Sequence, residues 1–173
     1  GETILDVCAA PGGKTTYLSQ LMRGQGRIIA IDRSAKRLHS LRENCQRLGV
    51  TNTECHTGDF RHLAGEFLEA AEACLVDAPC SGTGVLRRKP DIRWRRQEKD
   101  LVSLADLQFQ LLAAAATTVR PGGRVIYSTC SIEWEENTEV VNMFLQEHRD
   151  FTREPLTWLP QVIDDTYEDN KLD

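Results

Sequence analysis

The chain has 173 residues, 40% of them hydrophobic, which suits a single domain with a real core. A formal net charge of −5 argues against a general nucleic-acid coat protein, but it leaves room for a local basic groove. Six cysteines without the paired spacing of a secreted scaffold, no zinc-ligand spacing, no signal peptide and no apolar run near the ~18 residues that span a bilayer predict a reduced, cytoplasmic protein without metal or membrane anchor.

In chain order, Thr3-Ile4-Leu5-Asp6-Val7 is a β-prone run followed by the small residues Cys8 to Gly13. A helix is predicted from Lys14 to about Met22, with Tyr17, Leu18 and Leu21 at helical spacing, and Gly24 and Gly26 end it. Residues 27–31 form a second strand closed by Asp32. Ser34 is the N-cap of a helix to Leu48, where Gly49 stops it. Thr53 to Thr57 reads weakly as a third strand, and residues 73–77 as a fourth. A long helix from Glu98 to Val119 is broken by Pro121-Gly122-Gly123, after which Val125 to Ser128 make a fifth strand. Asn137 to about Gln146 is the last predicted helix. Strands alternating with helices predict an α/β fold with a doubly wound, mostly parallel, Rossmann-like sheet.

In such sheets chemistry sits at the carboxyl ends of the strands. Asp77-Ala78-Pro79-Cys80 leaves the fourth strand and Thr129-Cys130 leaves the fifth, so two thiols and an acid are expected to share one site. The first loop can approach a ligand closely because Ala9, Ala10, Gly12 and Gly13 are small, and Lys14 opens a helix whose N-terminus favours negative charge. Two ligands suit it. One is a nucleotide phosphate, since Gly13-Lys14-Thr15 resembles the end of a P-loop, although Cys8 stands where that motif needs glycine. The other is S-adenosylmethionine, with Asp32 placed for ribose hydroxyls and Asp59 for an adenine amino group. Either acid taken alone is better read as an N-cap or a solvated strand end. Three acid-terminated strands beside one glycine loop favour a nucleoside cofactor.

Asp6 to Thr15 (DVCAAPGGKT), Asp77 to Gly84 (DAPCSGTG) and Ser128 to Ser131 (STCS) resemble the signature runs of the RNA 5-methylcytosine methyltransferases, in particular the bacterial RsmB/Sun ribosomal RNA enzymes. Pro90 to Trp94 (PDIRW) and Glu135-Glu136-Asn137 fit the same pattern, and the likeness covers about residues 1–150. It implies a class I S-adenosylmethionine-dependent methyltransferase with a cofactor site at Cys8, Ala9, Ala10, Pro11, Gly12, Gly13, Lys14, Asp32, Asp59 and Asp77. It implies Cys130 as the nucleophile and Cys80 as the thiol that assists elimination. Asp77 would hydrogen-bond or protonate the ring at nitrogen 3. The substrate implied is RNA, ribosomal first and transfer RNA as the other candidate, acted on by a monomer. Two thiols suit this reaction, because thiolate attack at carbon 6 of cytosine makes carbon 5 nucleophilic and the adduct must afterwards be released. Lys14 and nearby helix N-termini are expected to give both thiols an electropositive setting. Cys45, Cys55 and Cys74 are expected to be inert, and Cys8 to pack the loop.

Residues 87–96 hold six basic groups and one acid. They flank Trp94 and predict RNA contact through phosphates and a stacked base, against a plainer reading in which the loop is solvated and Trp94 is its packing anchor. Family members carry an upstream segment and further strands, so the resemblance implies a catalytic core, 1–150, truncated at both ends. Residues 151–173 are expected to form an acidic, poorly ordered tail. Two rivals remain: a catalytically impaired RNA- or cofactor-binding module that kept the fold, and an NTPase.

Overall fold

A computed structural model describes residues 1–155. Five strands, β1 (Thr3–Val7), β2 (Arg27–Asp32), β3 (Thr53–Thr57), β4 (Ala71–Asp77) and β5 (Val119–Ser128), form one sheet in the order β3-β2-β1-β4-β5. Every pairing is parallel. The carboxyl ends therefore gather on one edge of the sheet, and the order reverses beside β1, where such sheets bind ligands.

The sequence explains the layers. In α2 (Ala35–Leu48), Leu38, Leu41 and Cys45 recur every three or four residues and pack with Ala30 of β2 on one face of the sheet. Ser34 accepts from the Arg37 amide, and Gly49 closes the helix in the left-handed region at φ 69°. Helix α1 (Gly13–Leu21) lies against α2 on the same side. On the other face Leu5, Val7, Ile29, Ile31, Cys74 and Val76 meet Phe60 and Phe67, together with Leu111 and Ala115 of α5 (Glu98–Thr118). Two short helices, α3 (Phe60–Leu63) and α4 (Ile92–Arg95), lie in loops where no helix is predicted. The last helix, α6 (Thr138–Glu147), packs Val140 and Phe144 on Leu112 of α5.

Three expectations change. Pro121-Gly122-Gly123 does not precede β5 but bulges within it: Ala71 faces Val119 while Ala73 already faces Arg124. Helix α5 is long and apolar enough, by length and composition, to cross a membrane, contrary to the expected lack of such a run. It instead lays Leu111 and Ala115 into the core over the sheet. The tail expected from residue 151 begins with Phe151 packed on the core, and residues 156–173 lie outside the described residues.

Candidate active site

The first loop turns sharply after β1. Cys8 sits at φ 62° and Gly12 at φ 101°. A β-carbon on Gly12 would stand 2.7 Å from Leu41 Cγ, whereas Gly13 has open space on that side. The loop hangs from β2, since Ala9 N–H donates to the Ile31 carbonyl at 3.1 Å and Ala10 N–H to Asp32 Oδ2 at 3.3 Å. Helix α1 has neither a side-chain cap nor an acid in its first turn, which leaves its N–H groups free for an anionic ligand group. These features fit a nucleoside cofactor bearing a carboxylate.

The three acids differ. Asp32 is buried, and its Oδ1 is held by Arg37 and the Ser34 amide, both at 2.8 Å. A ribose reaching it must displace the half-exposed guanidinium of Arg37. Asp59 is an N-cap: it accepts from the Arg61 amide at 3.1 Å, and the Arg61 guanidinium takes both its oxygens. That grip holds its carboxyl well below the ordinary range, at about 2. Asp77 binds Lys14 Nζ at 2.6 Å and accepts from Ser128 Oγ at 2.9 Å. Lys14 therefore ties the first loop to β4.

The two thiols come together. Cys80 Sγ lies 3.2 Å from Cys130 Sγ, and the Cys130 amide donates to Cys80 Sγ at 3.3 Å. Gly84 permits this approach, because its amide donates to the Cys130 carbonyl at 3.0 Å and a β-carbon there would stand 2.9 Å from that oxygen. The electropositive setting expected for both thiols fails for Cys80. Burial first, then the neighbouring Cys130, push its pKa up to about 11, while Lys14 is engaged by Asp77. Cys130 is exposed. Among the remaining thiols, burial raises the pKa of Cys8 and Cys74 to about 12, and raises those of Cys45 and Cys55 as well.

A cleft of about 410 Å³ opens on the pair, lined among others by Cys80, Cys130, Val85, Lys89, Ile92 and Arg95. The basic segment thus forms one wall of the site. Trp94 is 89% exposed, which overturns its reading as a packing anchor and leaves its ring open to stacking.

Three groups take parts that the sequence reading did not assign to them. Glu136, with no exposure, accepts from the Ser81 amide at 2.8 Å, from the Ser81 hydroxyl and from Gln108 Nε2 at 2.9 Å. Asp6, equally buried, accepts from Thr15 Oγ1 at 2.6 Å and leaves Oδ1 without a partner. Burial raises its pKa to about 6. Arg96 spans the carbonyls of Cys80 and Ser81, each at 3.1 Å. An acid inside the apolar strand Ile4-Leu5-Asp6-Val7 is a signal that could have pointed to Asp6. Glu136 stands in the run Glu135-Glu136-Asn137 and Arg96 in the basic cluster, but nothing local marks the contacts they make.

A model of the 16S rRNA methyltransferase RsmB/F family matches residues 1–171. The chain is 45% identical over 158 residues to a probable ribosomal RNA small subunit methyltransferase B of Synechocystis, covering 91% of this chain and 35% of that protein. It is 43% identical over 152 residues to the probable methyltransferase B of Bacillus subtilis, covering 87% and 34%. Among solved structures, NSun6 from Pyrococcus horikoshii with SFG superposes with a TM-score of 0.78 at 39% identity, covering 84% of this chain and 37% of that one. The chain thus spans about a third of the length of the curated relatives it matches.

Proposed function

This chain belongs to the 16S rRNA methyltransferase RsmB/F family, and on that premise we propose that it methylates carbon 5 of cytosine in RNA, ribosomal RNA first, through a covalent cysteine adduct. The observation that carries the reading is the thiol pair, Cys80 and Cys130 at 3.2 Å, beside the Lys14–Asp77 ion pair at the sheet's carboxyl edge.

Cys130 is the nucleophile. Its exposed thiol gives its proton to solvent, and the sulfur bonds to carbon 6 as the carbon 5–carbon 6 electron pair moves onto the ring. Asp77 meets the ring with Lys14 beside it. A carboxylate held by an ammonium accepts hydrogen bonds, so it takes one from the exocyclic amino group, while Lys14 faces the negative charge that builds at nitrogen 3. Cys8 to Lys14 would hold S-adenosylmethionine with Asp32 at its ribose, and the bound cofactor would supply the methyl group. Asp59 Oδ2 takes a single donor, from Arg61, and so keeps acceptor capacity for an adenine amino group.

Release then needs a proton taken from carbon 5 and one given to the departing sulfur. Cys80, kept as a thiol by its raised pKa, hands its proton to Cys130 and takes the carbon 5 proton in exchange. The double bond re-forms, the carbon 6–sulfur bond breaks with its electron pair on Cys130, and both thiols end as they began. The exposed Trp94 and the basic groups at 87–95 hold an unpaired strand, so that the base can enter the cleft.

The test is transfer of labelled methyl from S-adenosylmethionine to RNA, followed by mapping of the modified base. Label at carbon 5 of cytosine is the expected result. Label on another atom, or none in a chain that binds both ligands, refutes the reading.

A further inference from the structure

Six basic side chains crowd residues 87–96, and the last of them is used differently from the rest. Among the described residues, Arg87, Arg88, Lys89 and Arg93 make no side-chain hydrogen bond or ion pair, and Arg95 reaches only Asp91, at 3.4 Å. Arg96 instead turns its planar fork onto two successive backbone carbonyls. Its Nη2 donates to Cys80 and its Nε to Ser81, both at 3.1 Å. We propose that Arg96 is a positioning residue for Cys80, the outer jaw of a clamp that holds this thiol against Cys130.

The inner jaw is buried. Glu136 takes the Ser81 amide and hydroxyl, and Gln108 Nε2 donates both to Glu136 and to the Pro79 carbonyl at 2.9 Å. The carbonyls of Pro79, Cys80 and Ser81 are therefore all occupied, two of them by one guanidinium. A guanidinium suits this task where an ammonium does not, because its donors are fixed in one plane at a spacing that meets two acceptors together. The geometry it protects is tight. Sulfur atoms at 3.2 Å exchange a proton directly, and a displacement of about 1 Å would part them, which costs on the order of a hundredfold in rate. Arg96 also stands at the join between α4, whose Ile92 carbonyl accepts its amide at 3.0 Å, and the start of α5 at Glu98. The clamp thus links the basic wall of the cleft to the thiol loop.

The role rests on the thiol-pair chemistry proposed above, so the experiment has one readout that needs no turnover. The whole 173-residue chain is alkylated with iodoacetamide across a pH series, and Cys80 and Cys130 are followed separately by peptide mass spectrometry. Arg96→Ala and Arg96→Lys should each speed Cys80 alkylation about tenfold, with Cys130 unchanged. Arg88→Ala should leave the Cys80 rate alone. Arg96→Lys keeps the charge and guards against loss of folding in the alanine variant. Under turnover with RNA, Arg96→Ala should also accumulate the protein–RNA adduct, the outcome expected of Cys80→Ala. Unchanged Cys80 alkylation in both Arg96 variants overturns the proposal. Weaker RNA binding with a salt slope reduced by about one phosphate would then mark Arg96 as a backbone contact. If Cys80→Ala itself releases product normally, the thiol-pair chemistry fails, and alkylation still decides whether Arg96 holds Cys80.

Discussion

Cys80 and Cys130 stand fifty residues apart in the chain and 3.2 Å apart at their sulfurs, with the Cys130 amide donating to the Cys80 sulfur. In the reaction proposed above, these two thiols, which look alike in sequence, take different roles. Cys130→Ser should lower methyl transfer at least about a hundredfold and abolish the covalent adduct on denaturing gels. Cys80→Ala should still form the adduct but release it slowly, so that the band accumulates. Full turnover by Cys130→Ser would remove it as the nucleophile.

Asp6 should make stability fall as pH rises. Its folded pKa, about 6, lies above the ordinary value of 3.8 because burial disfavours the charge. The stabilising contribution is complete below pH 3.8 and is lost as pH rises through 6, a swing of about 3 kcal/mol. Asp6→Asn keeps the shape without the charge. Its stability advantage over the parent, measured by urea unfolding, should be near zero at pH 4 and grow by pH 7.5. An equal gap at both values would show that Asp6 is not destabilised by ionisation.

Glu136 is a structural anchor of the Cys80 loop. Glu136→Ala strips an acceptor from the Ser81 amide, the Ser81 hydroxyl and the Gln108 amide at once, all inside the core. The cost should be about 3 kcal/mol or more in chemical denaturation. Glu136→Gln, which retains one acceptor oxygen and the volume, should lose less. Equal losses would mean that packing, not hydrogen bonding, sets the effect.

The two glycines of the first loop should separate folding from binding. Gly12→Ala combines φ 101° with a β-carbon 2.7 Å from Leu41 Cγ and should cost about 1–3 kcal/mol of stability. Gly13→Ala meets nothing within 4 Å and should fold normally, yet its new methyl stands on the open side of the loop. Calorimetry with S-adenosylmethionine should therefore show weaker binding for Gly13→Ala at an unchanged melting temperature. Unchanged affinity would move the cofactor away from this loop.

The elements and the edge at which they act follow from short-range patterns along the chain. Leu38, Leu41 and Cys45 announce α2 because helical periodicity is local, and Ser34 and Gly49 cap it by contacts within a few residues. Parallel strands follow from the alternation with helices, and with them the gathering of Cys8–Lys14, Asp32, Asp77 and Cys130 at one edge. Locally spaced turn residues misled at one point: Pro121-Gly122-Gly123 reads as a break, but pairing with β4 carries the strand across it.

Partners for several of those residues come from segments that meet on folding. Arg96 and its basic neighbours have the same charge in sequence, and the carbonyls of Cys80 and Ser81 come within its reach only through folding. Asp77 ends β4 while Asp59 stands two residues past β3 as a helix N-cap, and one is taken by Lys14, sixty-three residues away in the chain, the other by its neighbour Arg61. Burial by distant segments likewise raises the pKa of Cys74 and Cys80 through desolvation, with the neighbouring Cys130 adding to the shift of Cys80. Periodicity and capping are short-range and can be read along the chain. Distances of a few ångströms between remote side chains are set by packing, and no local pattern along the chain encodes them.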